Sequence, residues 1–556
     1  MEKIRFKING KEVEGNIGES IMTVANRHKI RILGLCYCPD LEPESSCRLC
    51  LVSIVGREGF FTSCNTKIEE GMEVITSSEQ IEKIKRTNFE LISSKHLKDC
   101  VNCRRKKNCQ FLKIGKDYNI NLKKNDKHFD CEKYQFGPSI IFDSGKCVNC
   151  YNCIQVCSNQ GVGFLNIEKS NGFSKIIPSC DNDKDCVYCG QCLSHCPSGA
   201  FREVDSVLDI ERILADKNNY VVFQFSSALI RSIEQELGRN WNISFLSRVL
   251  KKLGAKMIFD TSFGVDVIIE KESKDLIDMI NTGRDRCLFT SHCPAWVKYI
   301  EFYFPEFISS LSKNRSPHII WGGLVKNFLI KEKKINPEKL FIISIAPCTS
   351  KKYEILRPEL KVNNMNPVDF ILTTSEACTL FEKNKSILKN IESETLENVF
   401  IKSVNAYDSN EDIVSSGIKL FYKKNTGKEL IGSQFKKIED VEQGVETSIN
   451  INGRMINVAI AYGLGSAKKI LEKLKKNPKA YDYLEVMACP KGCLGGGGQP
   501  INEGISSKMD SSFLEDINVC YDNDIIQKII GIDEKNFKEI CKTNYSLSAK
   551  GYIKKI

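Results

Sequence analysis

Two cysteine runs in the chain have spacing that can hold iron. Cys147, Cys150, Cys153 and Cys157, then Cys186, Cys189, Cys192 and Cys196, each read C-x2-C-x2-C-x3-C, and Pro197 closes the second. This is the pattern of a bacterial ferredoxin with two [4Fe–4S] clusters, in which the fourth cysteine of each run crosses to the other cluster. Cys196 is thus expected to join Cys147, Cys150 and Cys153, and Cys157 to join Cys186, Cys189 and Cys192.

Three further sets surround this duplication. Cys36, Cys47, Cys50 and Cys64 are spaced C-x10-C-x2-C-x13-C. Four thiolates, two of them in one short loop, suit a [2Fe–2S] cluster, with structural zinc as the alternative. His96, Cys100, Cys103 and Cys109 are spaced H-x3-C-x2-C-x5-C. Taken alone, this fits a Cys3His zinc site and a His-ligated [4Fe–4S] cluster equally; beside the other sets it reads as the cluster. The last set, Cys293, Cys348, Cys489 and Cys493, is dispersed. Cys293, Cys348 and Cys489 each follow a short apolar run, and open α/β sheets gather ligands at the carboxyl ends of their strands. Any one of these cysteines alone would read as a small core hydrophobe. Cys38, Cys131, Cys180, Cys287, Cys378, Cys520 and Cys541 fall outside the sets and are read as structural.

The elements that must position these residues follow from the rest of the chain. It has 556 residues, 26 of them Cys, and a formal charge of +10 from 80 Lys and Arg against 70 Asp and Glu. That balance favours acidic partners; there is no basic arm and no aromatic–basic interleaving of a nucleic-acid binder. Arg104, Arg105, Lys106 and Lys107 read as a solvated face. No apolar run nears the roughly 20 residues that span a bilayer, and the N-terminus lacks a signal-like apolar core. A cytoplasmic location is expected, where clustered cysteines are metal ligands rather than disulfides.

The fold class expected is α+β multidomain. Residues 1–80 open with the alternating run Lys3–Ile8 and the hairpin dipeptide Asn9-Gly10, and read as a β-grasp, ferredoxin-like module. Residues 81–125 form a small module around the His96 set, and 126–207 the two-cluster module. Residues 208–556 read as a large α/β domain, with buried strands at Tyr220–Phe225, Leu340–Ala346, Phe370–Thr373 and Val458–Tyr462. Helices are expected at Ser273–Ile280 and Trp296–Phe307, and peripheral loops and helices over 383–450.

Three segments resemble the signatures of [FeFe]-hydrogenases: Thr290-Ser291-His292-Cys293-Pro294-Ala295-Trp296, Pro347-Cys348-Thr349-Ser350-Lys351-Lys352-Tyr353-Glu354, and Glu485-Val486-Met487-Ala488-Cys489-Pro490-Lys491-Gly492-Cys493, which continues into Gly496-Gly497-Gly498-Gln499-Pro500. The order of the N-terminal modules resembles the multi-cluster clostridial form. The resemblance implies an H-cluster: a [4Fe–4S] cubane on Cys293, Cys348, Cys489 and Cys493, bridged through Cys493 to a two-iron unit bearing carbon monoxide, cyanide and a dithiolate amine. It implies one [2Fe–2S] and three accessory [4Fe–4S] clusters, the reaction 2 H⁺ + 2 e⁻ ⇌ H2, and a ferredoxin or flavodoxin as electron carrier. A monomer is expected, with no nucleic-acid or membrane partner. Lys351 would hydrogen-bond a cyanide, a charge-assisted contact, and Met487 is retained. Lys352 reads as a surface residue. Glu272, Asp275 and Ser312 match a proton relay ending at the residue before the first cluster cysteine. Without the resemblance, Glu272 and Asp275, three apart on a helix, read as a solvated face.

The chain departs from that pattern in the pocket. His292 stands where the family has the proton-relaying Cys. Imidazole ordinarily titrates at about 6.5 and a thiol at about 8.5, so His292 is expected to relay protons near neutrality; the alternative is a packing role with proton transfer crippled. Ala346 replaces a Met, Ser226-Ser227-Ala228 an Ala-Pro-Ser-type segment, His318 a Gln, and Val414-Ser415-Ser416-Gly417-Ile418-Lys419 a Gly-rich helix start. The reading is a divergent hydrogenase. Its competitors are a slow hydrogen or redox sensor, an iron–sulfur assembly protein of the hydrogenase-like kind, and a cluster-bearing subunit of respiratory complex I.

Overall fold

The computed structural model describes residues 3–97, 99–100, 103–120, 131–170, 173–226, 229–238, 241–282, 286–386, 391, 396–401, 413–430, 435–451, 453–500, 523–547 and 550–556. The readings placed on Ser227, Ala228 and Cys520, and on the side chains of Val414, Ser415, Ser416 and Gly417, lie outside the described residues.

At the N-terminus, Lys3–Ile8 and Lys11–Asn16 pair antiparallel. Asn9 and Gly10 both have positive φ, 52° and 76°, as the two-residue turn of a twisted hairpin requires. These strands share a five-stranded sheet with Glu73–Ile75, Leu51–Ile54 and Phe61–Thr62. Phe6, Val13, Val52 and Val74 pack its inner face against the helix Ile21–Arg27. A helix over Glu79–Lys95, N-capped by the Ser78 side chain, then delivers His96 at its end.

In the central module two short helices, Asn152–Asn159 and Gln191–His195, follow residues in the left-handed region, Tyr151 (φ 62°) and Gly190 (φ 73°). Each turn lies inside a cysteine run, Tyr151 between Cys150 and Cys153 and Gly190 between Cys189 and Cys192. A four-stranded sheet of Phe201–Glu203, Ile140–Asp143, Lys133–Phe136 and Ile553–Lys555 lies beside them. Its last strand comes from the far end of the chain, with Ile553 paired to Phe136.

The C-terminal half holds two sheets. One is wholly parallel, in the order Phe370–Thr373, Leu340–Ala346, Tyr220–Phe225, Met257–Asp260, Val399–Phe400. Alternate residues feed different cores: Val221, Phe223 and Ile343 on one face, Val222, Phe259 and Ile342 on the other. Burial on both faces explains why these strands read as continuous apolar runs. The other sheet orders Leu288–Phe289, Tyr483–Met487, Arg454–Tyr462, Gly444–Ile451 and Lys436–Lys437. Its first three strands run parallel and the last two add antiparallel. Gly444–Ile451 corrects the expectation of loops and helices up to residue 450; its polar face is half exposed, which masked the strand pattern.

The reading of the basic run as a solvated face holds for Lys106 and Lys107, which are exposed, and is corrected for the two arginines. Arg104 is buried, ion-paired with Glu203, and donates to Gly497 O (2.7 Å) and Gln499 O (2.6 Å). Arg105 donates to Cys196 O (2.8 Å), and Lys107 lies against Glu236 and Glu382. The run clamps the small module onto both neighbours. Lys352 is likewise buried and donates to Val204 O, Ser206 Oγ and Glu376 Oε1. Cys287, Cys378 and Cys541 are core residues, whereas Cys131 and Cys180 are exposed.

Candidate metal centres and active site

The expected ligand sets come together in space. Cys36 and Cys47 have their sulfurs 3.3 Å apart, and Cys50 and Cys64 theirs 3.4 Å apart, all four buried. The loop between them is held open by Ser45 and Arg48, both non-glycine residues at positive φ. Strain of this kind persists where the surroundings over-determine it. His96, Cys100, Cys103 and Cys109 line one cavity, with Phe111 and Lys146 among its other walls. His96 Nδ1 lies 3.1 Å from Lys146 O, which fixes the ring and places Nε2 on the opposite edge, the usual arrangement of a ligating imidazole.

In the two-cluster module, burial and then the Cys196 thiolate push Cys150 up, while burial and neighbours Cys150, Cys147 and Cys196 do so for Cys153. Cys192 is raised by burial and by Cys186, Cys189, Cys153 and Cys157. Each of these three cysteines thus has a sulfur of the other run beside it. The Asn152 amide, turned to donate, lies 3.0 Å from Cys36 O and 3.2 Å from Cys150 O, tying the first module to this one.

Cys348, Cys489 and Cys293 lie just beyond the carboxyl ends of Leu340–Ala346, Tyr483–Met487 and Leu288–Phe289. Burial and the Cys348 and Cys293 thiolates raise both Cys489 and Cys493, the latter to about 12, and burial with Cys348 raises Cys293 to about 11. Cys493 is solvent-accessible, yet the surrounding protein still desolvates its thiol. The pocket meets the two-cluster module backbone to backbone. A Cβ on Gly497 would sit 2.5 Å from Gly190 Cα, Thr349 Oγ1 donates to Tyr188 O (2.8 Å), and Gln191 Nε2 to Gly495 O (3.0 Å). Cys189 is pushed up to about 12, by burial first and then by Cys157, Cys293 and Cys348 among others.

Lys351 enters this pocket from the first turn of the helix Lys351–Glu354. Burial opposes its charge, but Glu354, 3.2 Å away, and the Cys348 and Cys493 thiolates raise it overall. Glu354 is shared with His318, whose Nε2 is 2.7 Å from Oε2. Burial raises Glu354, yet Lys351 and His318 bring it to about 2. Burial first, then Lys351, lowers His318 to about 4. A histidine depressed from about 6.5 is protonated first in the unfolded chain, so its stability contribution is complete above about 6.5 and lost as pH falls to about 4. Acid unfolding should therefore reveal a loss on the order of 3 kcal/mol across that window, flattened in His318→Gln; superimposable pH curves would contradict it.

His292 and Glu272 meet, with Nε2 3.4 Å from Oε1. Neither ring nitrogen of His292 has a hydrogen-bond partner among the described residues. Glu272 is buried on the helix Ser262–Asn281, and Tyr483 donates its hydroxyl to the other carboxylate oxygen. Glu272 is thus not part of a solvated face. Asp275 accepts from Asn314 Nδ2 (2.9 Å) and pairs with Lys542 (3.1 Å). Asn314 Nδ2 also donates to Ser312 Oγ (3.0 Å); among the described residues no hydrogen bond joins Ser312 to Glu272. Tyr483 and Asn314 escaped sequence reading because nothing in their local spacing marks them. Ala346 is buried at the end of its strand, Ser226 follows Tyr220–Phe225, and Met487 Sδ lies against Gly492.

Four convergent sulfur donors beside a buried ammonium fit an anionic iron–sulfur group. Glycines line the approach: a Cβ on Gly496 would meet Pro347 O at 2.2 Å, so only glycine lets this loop close.

Known proteins place this architecture. Residues 1–79 match a 2Fe-2S iron-sulfur cluster binding domain and 128–200 a 4Fe-4S dicluster domain. The chain is 29% identical over 531 residues to the NADP-reducing hydrogenase subunit HndD of Solidesulfovibrio fructosivorans, covering 91% of this chain and 90% of that one. It is 28% identical over 532 residues to iron hydrogenase 1 of Clostridium pasteurianum, covering 93% and 92%. It is also 27% identical over 391 residues to cytosolic iron-sulfur assembly component 3 of Rattus norvegicus, covering 64% and 81%. In fold it resembles apo [FeFe]-hydrogenase HydA1 from Chlamydomonas reinhardtii, with TM-score 0.54 at 23% identity over 62% of this chain and 99% of that one. Among the described residues no helix is long and apolar enough to cross a membrane. Residues 219–497, half of the chain, match the iron only hydrogenase large subunit, C-terminal domain, and the chain belongs to that [FeFe]-hydrogenase family.

Proposed function

We propose that the protein is an iron hydrogenase that interconverts 2 H⁺ + 2 e⁻ and H2 in the pocket of Cys293, Cys348, Cys489 and Cys493. The observation that supports it most is the meeting of these four thiols, from three separate loops, beside Lys351. The domain limits proposed are 1–80, 81–125, 126–207 and 208–556. The group held there would supply the redox chemistry when bound, with Lys351 donating to an anionic ligand of it. Electrons would pass along the Cys36, His96 and two-cluster sets and enter where Gly190 abuts Gly497. Protons would leave through His292 and Glu272, with Asp275 nearer solvent. A ferredoxin or flavodoxin would suit the basic balance of the chain.

The assembly-protein reading draws on the likeness to cytosolic iron-sulfur assembly component 3 and on the rewritten pocket positions His292, Ala346 and His318. Hydrogen evolution from reduced viologen by protein matured with the two-iron group separates the two. Sustained evolution is expected; none above background, with the iron content of all sets intact, would favour the assembly role.

A further inference from the structure

Outside these sets, one cluster of metal-ligating side chains among the described residues has no assigned role. Cys38, Asp40 and His195 each offer a ligand atom, and the three lie within 4.8 Å of one another. Cys38 and Asp40 belong to the first module, where Leu41 N donates to Cys38 O (3.1 Å) and folds the loop into a turn. His195 ends the helix Gln191–His195 of the two-cluster module.

Three features make this more than a coincidence of polar groups. First, the donors are one sulfur, one imidazole nitrogen and one carboxylate oxygen, a mixture that suits Zn²⁺ and its neighbours and not Mg²⁺ or Ca²⁺. Second, His195 is already oriented: its Nδ1 lies 2.8 Å from Gln191 O. That bond places the proton on Nδ1 and leaves Nε2 with its lone pair outward, the second-shell arrangement of metal-bound histidines. Third, the carboxylate is exposed, so an ion can arrive from solvent and keep a water as fourth ligand. A tetrahedral zinc site has ligand atoms about 3.5 Å apart, so the three need close by only about 1 Å. Lys491 Nζ now sits 3.2 Å from Asp40 Oδ2. Its side chain is half exposed and can withdraw, which makes it a competitor for the carboxylate and not a barrier.

We propose that Cys38, Asp40 and His195 form a binding site for one Zn²⁺-class divalent cation, which pins the [2Fe–2S] module to the two-cluster module. Cys38 is two residues from Cys36 and His195 one residue from Cys196, so the ion sits at the junction between these sets. The site does not depend on the hydrogenase reading.

The test uses the cluster-loaded full chain, given one equivalent of Zn²⁺ and buffer-exchanged. Zinc K-edge absorption should show one sulfur at about 2.3 Å and the remaining nitrogen and oxygen ligands at about 2.0–2.2 Å, with iron content unchanged. Cys38→Ser and His195→Ala should each weaken zinc binding at least about tenfold. If either variant loses iron, Asp40→Asn, at an exposed position, decides with the same expected weakening. Failure to retain zinc, a shell of two or more sulfurs, or unchanged affinity in Asp40→Asn would overturn the site.

Discussion

Replacing His292 by alanine is expected to slow hydrogen turnover about 10²–10⁴-fold, the usual contribution of a positioned acid–base group. His292 precedes the pocket cysteine Cys293 and lies 3.4 Å from Glu272, while its ring nitrogens have no hydrogen-bond partner among the described residues. A ring that only packed would not need Glu272 turned toward it, nor would Tyr483 need to hold the other carboxylate oxygen. The metal group should remain loaded in His292→Ala, since the four cysteines and Lys351 are untouched. Turnover rates on matured protein, with iron content as the control, decide the matter. An unchanged rate would remove His292 from the proton path and return it to a packing role.

The second large effect is at the joint between modules. Gly497→Ala places a Cβ 2.5 Å from Gly190 Cα and 2.7 Å from Gly190 C and O. Backbone on both sides leaves no flexible end to move aside, and overpacking of this kind costs about 1–3 kcal/mol. The loop of Cys186, Cys189 and Cys192 must then draw back from the pocket. We expect lowered thermal stability and a rate with carrier-delivered electrons that falls further than the rate with a small viologen. An equal fractional fall with both donors would show that electrons do not cross at this contact.

Some of this was legible in the sequence because it is local. A C-x2-C-x2-C-x3-C run must bend round one point, and Tyr220–Phe225 and Leu340–Ala346 read as buried strands because both faces of their sheet are covered. The dispersed cysteines are different: apolar runs placed them at strand ends, but only the likeness to a family joined them into one set. What depends on distant partners was misread. Arg104 looked solvated among its basic neighbours, yet its partners are Glu203, Gly497 and Gln499. Lys352 looked like its exposed kind because Ser206 and Glu376 lie far away in the chain. Ser312 matched a relay position only through the likeness to a family; its hydroxyl accepts from Asn314 N (3.2 Å) and Nδ2 (3.0 Å), and the same Nδ2 donates to Asp275.

The central claim is that Cys293, Cys348, Cys489 and Cys493 hold a cubane joined to two further irons. Infrared spectroscopy of the matured, full-length chain reads it most directly. The account predicts bands of metal-bound carbon monoxide and cyanide in the unmodified protein, retained in His292→Ala and lost in Cys493→Ser. No such bands in the unmodified protein, with its accessory clusters fully loaded, would contradict it.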